Sequence, residues 1–221
     1  MPLSTINKLA VQASPGSLYI ATPPTTFVGA TLTLKLDELF ALFYTTGAER
    51  KALKVGVNPW AVLDASGFKA KLKQEPVTFD GNDGPPVTIS YQHLSAEAEV
   101  MIADLTADKR QEMLSNTANA QIATTASATQ AGRETNAHGG EVYPTLYTFM
   151  YRYPSRQFAG EFDHVLIPFG TIEVDTDYEL SKKSVRMAKC KIVANSSDLI
   201  TNPDTGRPVY WIEDRATAPR S

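Results

Sequence analysis

Between residues 173 and 179 four acids stand at alternate positions: Glu173, Asp175, Asp177 and Glu179. In an extended strand alternate side chains share a face, so these carboxylates would form one row. Such a row could bind a hard divalent cation, with Asp175 and Asp177 in DxD spacing, and would make the chain a metal-dependent enzyme. A hard cation takes several oxygen ligands from convergent elements. Neither a phosphate-binding loop nor a glycine-rich strand-to-helix turn accompanies the tripeptide. His93 lies near Glu97 and Glu99, and His164 follows Asp163. A Ser-His-Asp triad is assembled in space, but no serine here sits in a GxSxG elbow. Ordinary hydrogen-bonded strand or loop histidines fit these positions better. Cys190 alternates with Ala188 and Ile192, which makes it a buried small hydrophobe rather than a nucleophile. The expectation is no catalytic residue, no metal site and no cofactor.

The elements around the acid row give it a simpler role. A hairpin turning at Ser181-Lys182-Lys183 sets Leu180 opposite Ser184. Glu173 then faces Lys191 and Asp175 faces Lys189. On the other side Ile172 meets Ile192, Val174 meets Cys190, and Thr176 meets Ala188. A slip of one residue would turn the lysines onto the apolar side, so the pattern fixes the register. Exposed cross-strand ion pairs contribute about 0.2–1 kcal/mol each and select register more than they stabilise. Asp177 and Glu179 face Met187 and Val185 and stay unpaired.

Period-two alternation recurs along the chain, as expected of strands with one buried and one wetted face. It joins Leu32, Leu34 and Leu36; Phe68, Ala70 and Leu72; and Val87, Ile89 and Tyr91 after the turn-rich DGNDGPP at 80 to 86. It also joins Ala96, Ala98, Val100 and Ile102 against Glu97 and Glu99, and Tyr147, Phe149, Tyr151 and Tyr153. These four aromatics could serve as a base-stacking platform, but aromatics facing a core account for the same spacing. Helices are expected at 36 to 47, ended by Gly47, and at 106 to 116, capped by Thr106. Residues 117 to 140 are small and polar with almost no core formers, a long loop including Thr117, Gln130, Arg133, Glu134 and Gly140. The segment from 199 to 221 combines turn residues with Tyr210, Trp211 and Ile212.

These patterns predict a mainly β fold: an antiparallel β-sandwich or half-barrel with one or two short flanking helices, a long loop and extended termini. One domain is expected over 1–198, including an N-terminal arm and the loop 117–140, with a C-terminal arm over 199–221. The chain has 221 residues, 43% of them hydrophobic, and a formal net charge of −3. That balance argues against tight binding to nucleic-acid phosphates. One cysteine and three scattered histidines cannot build an intrachain disulfide or a Cys/His zinc framework. The first residues, MPLSTINKLAVQASPG, lack the pattern of a secretory signal, and no run approaches the ~20 apolar residues of a membrane span. The expected site of synthesis is a reducing cytoplasm.

In order, the chain presents an arm, then GPPVTISYQHLSAEAEVMIADLTADKRQEML, a long polar loop, LYTFMYRY, and FDHVLIPFGTIEVDTDYELSKKSVRMAKCKIVAN. This order and texture resemble the major tail tube proteins of long-tailed bacteriophages, over residues 15 to 200. The resemblance implies six copies in a ring, inner strands joined into one continuous β-barrel, and rings stacked into a hollow tube in the virion. It implies partners of several kinds: other copies of the chain, the tape measure protein, and the tail terminator and baseplate or initiator proteins, with DNA only in transit. Loop 117–140 would bridge successive rings. The face carrying Glu173, Asp175, Asp177 and Glu179, or that carrying Glu97 and Glu99, would line the lumen. Other readings are a tail terminator, a distal-tail ring or a capsid decoration protein, or a metal-dependent enzyme. A carbohydrate-binding sandwich using Tyr210 and Trp211 ranks last, since nothing in the sequence groups those aromatics with a polar cleft.

Overall fold

The computed structural model describes residues 16–60, 63–79, 87–102, 120–137, 144–175 and 188–218. Strands β1 (Ser17–Ala21), β2 (Leu63–Phe79), β3 (Val87–Ile102), β6 (Tyr147–Pro154), β7 (Phe162–Asp175), β8 (Ala188–Ala194) and β9 (Ile212–Asp214) form one antiparallel sheet. Its order is β1-β6-β7-β8-β3-β2, with β9 added to β7. Helix α1 (Leu32–Phe40) lies between β1 and β2 in the chain, and β4 (Ala120–Thr124) pairs with β5 (Arg133–Ala137) in a separate two-stranded hairpin. The mainly antiparallel β class anticipated from the alternation is therefore found, as a single open sheet flanked by one helix among the described residues.

Strand β7 organises this sheet because its two halves serve different neighbours. Residues 162–170 pair with β6 along one edge, while His164, Val165 and Leu166 pair with β9 along the other. From Gly170 to Asp175 the partner is β8. The β6–β7 register shifts between Tyr147 and Phe149. A Cβ on Gly170 would stand 2.9 Å from the Phe149 ring, so the glycine lets that ring cross the strand.

The sheet curls until its ends approach each other. Phe68 of β2 stacks on Tyr151 of β6, with ring centroids 4.5 Å apart and planes 8° apart. Just before β2, the Trp60 N–H donates to the Leu18 carbonyl of β1 at 2.8 Å. The enclosed side holds one core of Leu18, Trp60, Leu63, Ala98, Val100, Ile102, Phe149, Ile167, Ile172, Cys190 and Ile192. Burial on this scale of apolar side chains is the dominant stabilising term in such a fold. A second core lies under α1 and contains Tyr19, Leu39, Phe40, Phe43, Tyr44, Met150, Leu166, Phe169 and Ile200.

The structure corrects the expected strand at 32–36, the helix bounds at 36–47 and the loop at 117–140. Leu32, Leu34 and Leu36 lie on a helix, not a strand. The Thr31 hydroxyl caps it by accepting from the Leu34 N–H at 3.3 Å. Leu32, Leu36, Leu39 and Phe40 all reach the second core, at helical spacing, while Leu34 is 50% exposed. Helix α1 therefore runs over 32–40 rather than 36–47. Gly47 does not end it but packs against it, because a Cβ there would sit 1.8 Å from the Asp37 carbonyl oxygen. The stretch 117–140 is not loop throughout: Gln121 pairs with Asn136, Ala123 with Glu134 and Thr124 with Arg133, around a turn where Ser127 N–H donates to the Gln130 carbonyl at 2.8 Å. Backbone pairing supplies the order that its side chains did not announce. Thr117 and Gly140, like the helix expected at 106–116, lie outside the described residues.

The segment from 199 onward makes contacts with the rest of the described residues. Ile200 is fully buried in the second core. Thr201 bridges to Pro208, and the Lys35 ammonium donates to the Leu199 carbonyl at 2.7 Å. Beyond β9 the Ala216 N–H donates to Asp163 Oδ1 at 3.0 Å. Trp211 of this segment packs against the sheet, with its ring centroid 6.3 Å from that of Phe68. Among the described residues no helix is long and apolar enough to cross a membrane.

Candidate functional site

The acid row belongs to a larger charged surface. Glu173 pairs with Lys191 and Asp175 with Lys189, the register read from the sequence, with Ile172 opposite Ile192 and Val174 opposite Cys190. On its other side β8 meets β3, where Glu99 lies opposite Lys191. Strand β3 in turn meets β2, with Lys69 opposite Glu99 and Lys71 opposite Glu97. Alternate residues of four adjacent strands thus form columns of lysine, glutamate, lysine and acid. The two faces considered for a lumen are one face: Glu97, Glu99 and Glu173 stand together on it.

Side-chain contacts cross these columns. Lys191 Nζ lies 2.9 Å from Glu97 Oε1 and 3.5 Å from Glu173 Oε2. Lys71 binds Glu99. The hydrogen bond from Lys71 is the main reason the Glu99 carboxyl is held below its ordinary value. Desolvation opposes it, and the charges of Lys189, Lys71 and Lys69 add to it. Lys191 is pushed up, chiefly by its hydrogen bond to Glu97. Glu97, Glu99 and Glu173 are thus each met by lysine, while the charges of Lys69 and Lys189 also act on Glu99. This surface is a charge lattice rather than an acidic wall. Asp177, Glu179 and the hairpin tip lie outside the described residues. Among the described residues no three of His, Cys, Asp and Glu stand together as ligands for a metal ion.

A second polar cluster resembles a triad but is sealed. Tyr44 Oη lies 2.6 Å from His164 Nε2, and His164 Nδ1 lies 3.0 Å from Asp214 Oδ2. Arg50 binds Asp214, stacks its guanidinium 4.0 Å from the centre of the Phe40 ring, and lies 3.7 Å from Asp37. Arg50 itself adopts φ of +50°, a conformation that non-glycine residues rarely hold without compensation. Burial pushes the Asp214 carboxyl up, but the His164 hydrogen bond and the Arg50 charge outweigh it and leave it below its ordinary value. Tyr44 is fully buried and His164 only 2% exposed, so no substrate reaches the hydroxyl. The cluster is a latch joining α1, β7 and β9. Sequence reading gave His164 ordinary hydrogen bonds but missed Tyr44, Arg50 and Asp214, which lie far away in the chain.

The remaining candidates are structural. Cys190 is buried, and desolvation pushes its thiol up to about 12, which suits packing and not nucleophilic attack. Tyr151 accepts a hydrogen bond from the Gly16 N–H at 3.0 Å and stacks between Phe68 and Tyr153. Its ring closes the curled sheet. Tyr210 and Trp211, by contrast, line an open groove of about 810 Å³ together with Leu72, Ser196, Asn202 and Arg207. The sequence offered the two aromatics but not the β2 and post-β8 residues that complete this wall.

The outer edge of β2 is the other feature open to a partner. Among the described residues β2, 17 residues long, pairs with β3 alone. Pro76 suits such an edge, since its missing N–H would break a ladder in a central strand. Leu72 is 45% exposed. In comparison with known proteins, no family model and no curated protein matches the chain.

Proposed function

We propose that the chain is a structural protein of a phage-like virion, whose curled sheets join side by side into rings that stack as a hollow tail tube. The observation that supports this most is the long edge of β2, paired on one side only among the described residues and carrying half-exposed Leu72 beside Lys69, Lys71 and Lys73. Long unpaired edges are a hazard in a monomer and a binding surface in an assembly. A ring built by adding β2 to the next copy is heterologous, and stacking such rings yields a tube. The charged face of β2, β3, β8 and β7 would line the channel. Its lysine columns on β2 and β8 alternate with acidic columns on β3 and β7, which limits the net attraction for a passing polyanion. In this reading the hairpin carrying Gln130, Arg133 and Glu134 bridges rings, and the further partners are a tape measure protein, a terminator and a baseplate initiator.

Light scattering across a concentration series, with negative-stain electron microscopy of the same samples, tests this reading. Hollow filaments are expected, either alone or on adding initiator proteins. Single closed rings that never stack would favour a terminator or another ring protein. A monomer at every concentration, with and without initiator, would overturn the proposal.

A further inference from the structure

From the groove beside Trp211 we infer a second site, which shares Leu72 with the β2 edge and binds an acidic saccharide. Two kinds of recognition meet there. Tyr210 and Trp211 supply aromatic surface against Leu72, while Asn202, Arg207 and Ser196 supply polar groups around it. Its volume, about 810 Å³, falls in the range of small-ligand sites.

The polar wall is held firm by its own backbone. Asn202 N–H donates to the Arg207 carbonyl at 2.8 Å, and Gly206 N–H donates back to the Asn202 carbonyl at 2.7 Å. Gly206 sits at φ +65°, which permits this tight turn. Asn202 Oδ1 also accepts from the Asp204 N–H at 2.8 Å. Val209 N–H donates to the carbonyl of fully buried Ile200 at 2.8 Å, anchoring the turn to the second core. A pre-formed turn of this kind loses little entropy when it binds.

Charge decides the ligand class. Arg207 is exposed and forms no ion pair with a carboxylate among the described residues. A planar guanidinium without an acid partner matches a carboxylate in two-point geometry. The aromatic surface favours the C–H face of a sugar ring, and the amide and hydroxyl groups favour its hydroxyls. A uronic acid unit presents all of these on one ring.

Isothermal titration of the full chain with trigalacturonate, and with neutral maltotriose as reference, tests the assignment. Trigalacturonate should bind saturably and more tightly than maltotriose. Arg207→Gln, an exposed change, should weaken it on the order of 10- to 100-fold, as expected for losing a charged hydrogen bond. Tyr210→Leu should weaken both sugars while the thermal midpoint stays near wild type. The proposal falls if trigalacturonate fails to bind, if citrate binds as well as trigalacturonate, or if both variants bind like wild type. It also falls if Arg207→Gln changes the size of the assembly instead, which would make the groove a contact between copies.

Discussion

Replacing Asp214 with alanine should cost far more than one surface carboxylate. In the folded chain Asp214 accepts from Arg50 and lies 3.0 Å from His164 Nδ1, with its side chain 23% exposed. Breaking a fully buried ion pair costs about 3–5 kcal/mol, and leaving a buried donor without an acceptor costs about 1–3 kcal/mol. Partial exposure lowers the first figure, so about 2–3 kcal/mol is expected here. For a chain of this length that corresponds to a thermal midpoint lower by about 5–10 °C. Circular dichroism melts would measure it, and limited proteolysis should show earlier cutting between 199 and 218. The pH dependence supplies an internal check. Because the folded carboxyl is held below its ordinary value, its contribution is present at neutral pH and is lost as pH falls through the folded value. The gap between wild type and Asp214→Ala should therefore narrow in acid. A midpoint within 1–2 °C of wild type at pH 7, about the size of a surface effect, or a gap that widens in acid, would refute the latch.

Three further outcomes follow from packing. Ile200→Ala should lower the urea midpoint by the equivalent of about 2–5 kcal/mol, since Ile200 is fully buried in the second core; an effect below about 1 kcal/mol would place it outside that core. Cys190 should resist a disulfide reagent at pH 8 in the native protein and react completely in denaturant, because its thiol is buried and held near 12; rapid native labelling would contradict this. Gly47→Ala should destabilise by about 1–3 kcal/mol in thermal melts, because its methyl would enter the space of the Asp37 carbonyl, and an unchanged midpoint would show that the turn moves freely.

What the sequence makes legible depends on how local the deciding interaction is. The β7–β8 register can be read because lysines and acids fall opposite each other only when Ile172 meets Ile192, so both faces agree. Residues 31 to 36 fit a strand by alternation, and only the packing of Leu39 and Phe40 under the sheet reveals helical spacing. The hairpin 120–137 carries no apolar alternation, so its pairing leaves no trace in residue type. The latch is illegible for a simpler reason: Tyr44 and His164 are 120 residues apart, and Arg50 and Asp214 are 164 apart. The charged face was seen as two separate acidic candidates because strand order, which places β3 beside β8, is a property of the whole sheet.

The same latch constrains how the chain can be made. Arg50 and Tyr44 are synthesised early, yet the carboxylate that orders Arg50 arrives only with residue 214. Until then β7 presents His164, Val165 and Leu166 with one edge still waiting for β9. Contacts of such long sequence separation form late and make folding slow. Completion of the fold is thus coupled to the emergence of β9, and a nascent chain lacking it exposes a further pairing edge on β7. Ordered assembly would then begin only from chains in which β9 has closed that edge.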